Sequence, residues 1–324
     1  MQWTEGIPAP DWDTTLTLSG GHFLQTSHWA AFQMALERKV FYAYGPSWQA
    51  LAILEQSRTG RRLFCPYGPL AKSTPALRDA LAALTELAKQ QNALFVRVEP
   101  QTNVKNLTEL GLKKAFKDIH PTLTWVQDLT KSDDELMADM TSTNRNLYRT
   151  HTKKGVNLRA STNPKDIDFF IKMMAEVAER NHIRQHSDYY YTVMAQVLLQ
   201  RGAGKIYLAE HDGKPIASAL CFDSPTTRYY AHAASLFAAR KLHPGTPLLA
   251  EMIFDAKVDG KRSFDFFGAA PADAPANHPW KGLTKFKQSF GGEYKTYAGT
   301  WELPVKKLGY GIYRAAYATK KLIT

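Results

Sequence analysis

Cysteine is nearly absent. The 324 residues include two, Cys65 and Cys221, too few for a disulfide framework or a four-thiolate zinc site. Both lie in apolar strand patterns and read as small buried hydrophobes. No run of 18 apolar residues occurs, so no membrane-spanning helix is expected. The N-terminus lacks a basic start followed by an apolar stretch, and therefore a secretory signal. The chain reads as a reduced, cytoplasmic protein. Signatures of hydrolase, kinase and metal chemistry are also missing. There is no Gly-x-Ser-x-Gly elbow. Gly202-Ala203-Gly204-Lys205 lacks the upstream glycine and following Ser or Thr of a phosphate loop. His182 and His186 are four apart, but Ile183 stands where the zinc motif needs a glutamate, so a loop at a helix end is the better reading. No metal and no cofactor is expected.

Acidic residues are the other shortage. Lys and Arg total 41 against 30 Asp and Glu, a net charge of +11. The excess is uneven: residues 281–324 hold nine basic residues and two acids. Residues 140–160 carry Arg145, Arg149, Lys153, Lys154 and Arg159 with no acid. Such blocks suit polyanions: nucleic acid, pyrophosphate or anionic lipid headgroups. Arg145, Arg149 and Lys153 have i, i+4, i+8 spacing on a predicted helix and would share one face.

What remains is an ordinary globular composition, 44% hydrophobic and 22% charged, which excludes disorder as the main state. The length suits two domains of roughly 150 residues. Strands and helices alternate. Pro75 to Gln91 is predicted helical from its leucine stripe. Ser132 and Glu135 have capping-box spacing, so a helix begins there and continues, with a break near Thr141, to Gly155. Residues 164–181 are amphipathic. Three strands follow over 205–211, 215–222 and 228–233, then a helix over 247–258 and a strand over 263–267. Both halves run strand, turn, strand, strand, helix, buried strand, late strand. The late strands are Thr124 to Leu129 and Thr300 to Leu303. A period near 170 residues points to a duplicated α/β unit. The first domain is placed at 1–130 with 304–324, the second at 131–303. The last helix carries Leu308, Ile312, Ala315, Ala316 and Thr319 on one stripe and is read as packing back on the first domain.

Residues 278–292 interleave aromatic and basic side chains. Alternation from Thr284 puts Lys285 and Lys287 on one face of an extended or turning segment.

Four ordered segments resemble the Fem family of peptidoglycan bridge-forming aminoacyl transferases. The first is Gln25-Thr26-Ser27-His28-Trp29, with Tyr67-Gly68-Pro69 and Val96-Arg97-Val98-Glu99-Pro100 behind it. The second is Asn144-Arg145-Asn146-Leu147-Tyr148-Arg149 with Lys153-Lys154-Gly155-Val156. The third is Tyr229-Tyr230-Ala231-His232-Ala233-Ala234-Ser235, then Pro247-Leu248-Leu249. The fourth is Phe264-Asp265-Phe266-Phe267-Gly268, then His278, Gly282, Phe286-Lys287 and Phe290-Gly291-Gly292.

The resemblance implies an α/β (α+β) fold of two tandem GNAT-like acyltransferase domains, in the short form without a coiled-coil arm. It implies aminoacyl-tRNA as donor and the stem peptide of a UDP-linked or lipid-linked muropeptide as acceptor, with peripheral contact at the inner membrane face. By the same resemblance Lys287 and Phe286 lie near the aminoacyl end of the donor. Arg184, Tyr189, Tyr190 and Tyr230 lie in the acceptor pocket. Near Trp29 the short members place a Lys and an Asn for the nucleotide-sugar, where this chain has Gln33 and Ala35. Glu99 stands at the family's acid before proline and is a candidate proton acceptor. Lys287 would stabilise the oxyanion, and Arg145, Arg149, Lys153 and Lys285 would meet tRNA phosphates. The rival readings are an acyl-CoA-dependent N-acyltransferase of the GNAT class and a non-enzymatic protein that binds RNA or an anionic surface. Against the former, Arg240 to Pro247 lacks the Gln/Arg-x-x-Gly-x-Gly/Ala spacing of a pyrophosphate loop.

Overall fold

Hydrophobic period and turn chemistry give most elements their place in the computed structural model. It describes residues 2–9, 11–57, 59–102 and 104–323, with side chains as far as residue 318. The leucine stripe becomes helix Thr74–Gln90, capped by Ser73. Ser132 and Glu135 form the expected capping box at helix Asp133–Asp139. The chain then breaks at Met140 and restarts as helix Ser142–Thr150, capped by Thr141.

The chain divides into two compact units, residues 1–122 with 297–324, and residues 123–296. Unit 1 is built on a sheet whose strands run, side by side, Thr4–Glu5, Val40–Gly45, Trp48–Ser57, Gly60–Cys65, Phe95–Val98, Trp301–Pro304 and Lys113–Lys114. Unit 2 repeats the plan. Its order is Val156–Ser161, Gly204–His211, Lys214–Asp223, Thr227–Ser235, Ser263–Gly268, Leu123–Asp128 and Glu293–Thr296. Each sheet has one parallel pair at its centre, Gly60–Cys65 with Phe95–Val98 and Thr227–Ser235 with Ser263–Gly268. A crossover helix joins each pair, Thr74–Gln90 or Gly245–Val258, because parallel neighbours need a long connection. These helices bury their apolar faces on their own sheets and form the two cores.

The two late strands sit in the opposite units from the sequence assignment. Leu123–Asp128 pairs with Ser263–Gly268 in the second sheet, and Trp301–Pro304 with Phe95–Val98 in the first. Each half therefore lends its late strand to the other unit. Alternation identifies a strand but not its partner, since the choice is made by non-local pairing.

The last helix, Lys307–Ile323, also turns the other way. Tyr310 and Tyr313 pack on Phe95. Leu308 and Ile312 are 82% and 64% exposed. The Thr319 side chain lies outside the described residues. The tyrosines win the interior because their hydroxyls find buried partners: Tyr310 donates to Glu302 Oε2 at 2.9 Å, and Tyr313 accepts from Arg97 at 2.8 Å.

Candidate functional site

In unit 2 the central parallel pair is short. Thr227, Arg228 and Tyr229 face Ser263, Phe264 and Asp265, and the pairing stops there. Beyond it each strand keeps only its outer neighbour. Tyr230 and His232 pair with Lys214–Asp223, with Ala231 bulged out, and Gly268 meets Thr124. Arg228 fixes where the pair begins. It is fully buried and held by Asp223 (2.7 Å), Asp255 (2.6 Å) and Asp259 (2.6 Å).

Lys287 lies at the opened strand end. The segment from Lys281 is a helix, Lys281–Gln288, not an extended run. Residues 285 and 287 are therefore about 200° apart around its axis. Lys285 points to solvent while Lys287 is 3% exposed. The Lys287 Nζ donates to Gly268 O at 2.6 Å. Burial pulls its pKa down to about 8, against the opposing charge of Asp265. Asp265 is itself buried, accepts from Phe267 N (2.7 Å) and Thr124 Oγ1 (3.2 Å), and is pushed up to about 6 by burial. An ammonium carries three N–H groups. One is used on Gly268, and the remainder can serve a ligand oxygen. Phe286 is half-buried in the core, edge-on to Phe290 at 5.3 Å.

The second motif braces this helix. Asn144 Nδ2 donates to Ser289 Oγ at 2.7 Å and to Ser289 O at 3.2 Å. Arg145, expected on a tRNA-facing stripe, turns inward instead. It caps the preceding helix by donating to the carbonyls of Met137 (3.3 Å), Ala138 (3.1 Å) and Met140. Those carbonyls have no helical partner, and a nearby guanidinium satisfies them. Arg149 stays exposed on the helix and Lys153 in the 3-10 turn that follows it. Gly291 and Gly292 have φ of +88° and +102°, and a Cβ on Gly292 would sit 2.5 Å from Val126 O. The pair is there for close approach to the neighbouring strand.

Of the expected acceptor-pocket residues, Arg184 is exposed in the loop between two helices, Tyr189 is 62% exposed, and Tyr230 is half-buried. Tyr190 stacks on His186 at 4.1 Å. The buried tyrosine is Tyr191, which meets His232 at 5.4 Å and Phe170 at 5.1 Å. Burial, then the charge of His186, brings the His232 pKa down to about 4, so its ring is neutral at neutral pH. His186, Tyr191, His232 and Asp265 were given no role from sequence. Their signal was present in the third and fourth motifs and beside the paired tyrosines, but contact decided it.

In unit 1 the corresponding strand end is closed. Glu99, 4% exposed, follows Phe95–Val98. Its carboxylate accepts from Tyr67 N (3.1 Å), His120 N (3.1 Å) and Thr300 Oγ1 (2.8 Å), and lies 2.6 Å from His120 Nδ1. Burial raises its pKa, but the bonds to His120, Thr300 and Tyr67 outweigh this and leave it below the usual carboxylate value. Gln33, expected at a nucleotide-sugar, is buried and accepts from Arg38 at 2.7 Å. Gln25 of the first motif is also internal, bonded to Leu51 and Pro66.

Comparison with known proteins fits this architecture. The acetyltransferase (GNAT) domain family matches residues 139–282. Over 154 residues the chain is 27% identical to a lipid II:glycine glycyltransferase of Staphylococcus epidermidis, covering 43% of this chain and 37% of that protein. The chain thus spans a little over a third of the length of the curated relatives it matches. The crystal structure of FemX superposes with a TM-score of 0.83 at 18% identity, over 96% of this chain and 99% of that one. A tandem GNAT protein from the clavulanic acid biosynthesis pathway superposes with a TM-score of 0.53 at 12% identity, over 94% and 99%. The fold is two tandem GNAT-like units.

Proposed function

We propose that this chain, similar in fold to FemX and in part of its sequence to lipid II:glycine glycyltransferases, is a Fem-type enzyme that transfers an amino acid to the stem-peptide amine of a peptidoglycan precursor, with aminoacyl-tRNA as donor. The relatives named for lipid II and glycine favour glycine and a lipid-linked acceptor.

The observation that carries the reading is Lys287. A buried cation with donors to spare sits at the end of the strand where the parallel pair opens. Acyl transfer from an ester to an amine builds an oxyanion at the carbonyl, and a preorganised donor there lowers the barrier. The attacking amine is protonated in water, where its pKa is about 10.4, and must first lose its proton. Attack then forms the new C–N bond, and collapse of the tetrahedral species breaks the ester C–O bond, the leaving ribose oxygen taking up the proton that the attacking nitrogen sheds. No covalent enzyme intermediate is required. Lys287 is assigned to the oxyanion, with Phe286 as part of its packing. Arg184, Tyr190 and Tyr230 are assigned to the acceptor, joined by Tyr191 and His232. Arg149, Lys153 and Lys285 are assigned to tRNA phosphates. Glu99 is assigned to holding His120; its own oxygens are already engaged.

The experiment supplies purified protein with charged tRNA, acyl-CoA or neither, with lipid-linked or UDP-linked stem peptide, and reads product mass. A mass gain only with charged tRNA supports the reading. A gain with acyl-CoA alone replaces it with the GNAT-class reaction, and no gain under any condition overturns both.

A further inference from the structure

The helix Lys307–Ile323 uses Tyr310 and Tyr313 to hold unit 1 and turns an apolar strip outward. At 100° per residue, Leu308, Ile312 and Ala316 fall together on that outer face. Leu308 and Ile312 are the large apolar groups there, and both stand well out into solvent. We propose that this helix is a docking surface for an anionic phospholipid bilayer, lying flat with Leu308 and Ile312 entered among the headgroups.

Charge selects the occupant. Residues 303–324 contain Lys306, Lys307, Arg314, Lys320 and Lys321 and no acid. Lys307, beside the stripe, is exposed and has no partner among the described residues. The neighbouring edge strand adds Lys113 and is tied to the helix by Arg314, which donates to Lys114 O at 3.0 Å. The acids close by are spoken for. Glu302 is buried against Arg97 at 2.6 Å, and Asp118 is paired with Lys114 at 2.5 Å.

A cavity of about 530 Å³ opens beside the helix, bounded in part by Ala316, Tyr317, Phe116 and Lys117. Lys117 is exposed and has no acidic partner among the described residues, so a headgroup phosphate beside Ala316 would find a cation there. Basic residues flanking an apolar stripe are the pattern of helices that lie in a membrane interface. Two large apolar residues bury little, so attachment must draw on anionic lipid and be reversible. A second copy of the chain fits poorly, since the face would meet its own positive charge.

The inference does not rest on the transfer reaction. The test is flotation of the full chain with vesicles of phosphatidylcholine alone and of phosphatidylcholine with phosphatidylglycerol. Binding should require phosphatidylglycerol and weaken with salt. Leu308→Glu with Ile312→Glu should lower vesicle binding by about tenfold or more. Leu18→Glu, at an equally exposed but isolated leucine of the same unit, should leave it unchanged. Lys287→Met should float like the parent even if it is inactive in transfer, which keeps the two readings separable. The helix variants change exposed positions, and circular dichroism checks that they stay folded. Equal binding to both vesicle types, or parental binding by the double variant, overturns the proposal. So does light scattering that shows a dimer dissociated by the same two substitutions.

Discussion

The two units share one sheet plan but finish their central strands differently. In unit 1, Phe95–Val98 ends in Glu99, a buried anion whose oxygens meet two backbone N–H groups, a hydroxyl and an imidazole. In unit 2, Ser263–Gly268 ends beside Lys287, a buried cation whose hydrogen bond goes to the Gly268 carbonyl. A satisfied buried charge is a structural device; an under-satisfied one costs stability and is available to a ligand. The duplicated fold thus has one closed strand end and one open one, and the chemistry is assigned to the open end.

The sharpest way to break this comparison is Lys287→Met. Loss of an oxyanion donor should lower the single-turnover rate roughly 10²–10³-fold, about 3–4 kcal/mol. The same change should raise stability by about 3 kcal/mol, because a pKa lowered from 10.5 to about 8 marks a charge that the fold opposes. That penalty is complete below pH 8 and is relieved as pH rises towards 10.5, so the parent should gain on the variant over that interval in denaturant titrations. A Lys287→Met protein with normal single-turnover chemistry would reduce Lys287 to a phosphate contact.

Glu99→Gln probes the closed end. It should cost about 2–3 kcal/mol, since it removes a buried charged acceptor from its donors, and change the single-turnover rate by less than about threefold. A loss near 10² would make Glu99 the proton acceptor. The two ends should also answer pH with opposite sign. Glu99, lowered, contributes stability above the ordinary glutamate range that is lost as pH falls through its folded value. Asp265, raised from 3.8 to about 6, costs increasing stability as pH rises across that interval, and the full penalty then persists unchanged above it. Chemical unfolding of Glu99→Gln and Asp265→Asn against pH separates the slopes.

Arg145→Ala should cost about 1 kcal/mol by uncovering helix-end carbonyls, with no change in the salt dependence of tRNA binding. Arg149→Ala with Lys153→Ala should do the reverse. Stability should hold, and the slope of log affinity against log salt should flatten by about 0.7–0.9 for each phosphate no longer neutralised. An unchanged slope would remove both residues from the donor surface.

Local elements and the duplicated α/β character were legible in the sequence. The leucine stripe of Thr74–Gln90, the Ser132 capping box and the three strands of unit 2 each follow from period or cap chemistry spanning a few residues. The motif order also marked Lys287, Glu99 and Asn144 as worth watching. Roles were harder to read. Lys285 and Lys287 look alike in an alternating run, and a helix put one in water and the other in the core. Arg145 looked like a third phosphate contact, and a helix break five residues upstream recruited it as a cap.

What the sequence determined by itself was therefore short-range: where strands and helices start and stop, how often the pattern repeats, and where basic charge accumulates. Those features depend on side-chain period and caps that act within a turn or a strand. Tertiary structure decided which sheet each late strand joins, which face of the last helix is buried, and which charged groups are satisfied. Those outcomes depend on partners as far as 216 residues away in the chain, as Arg97 is from Tyr313, and as Glu99 depends on Thr300. A buried charge is stabilised or exposed to a ligand according to the donors that folding brings around it.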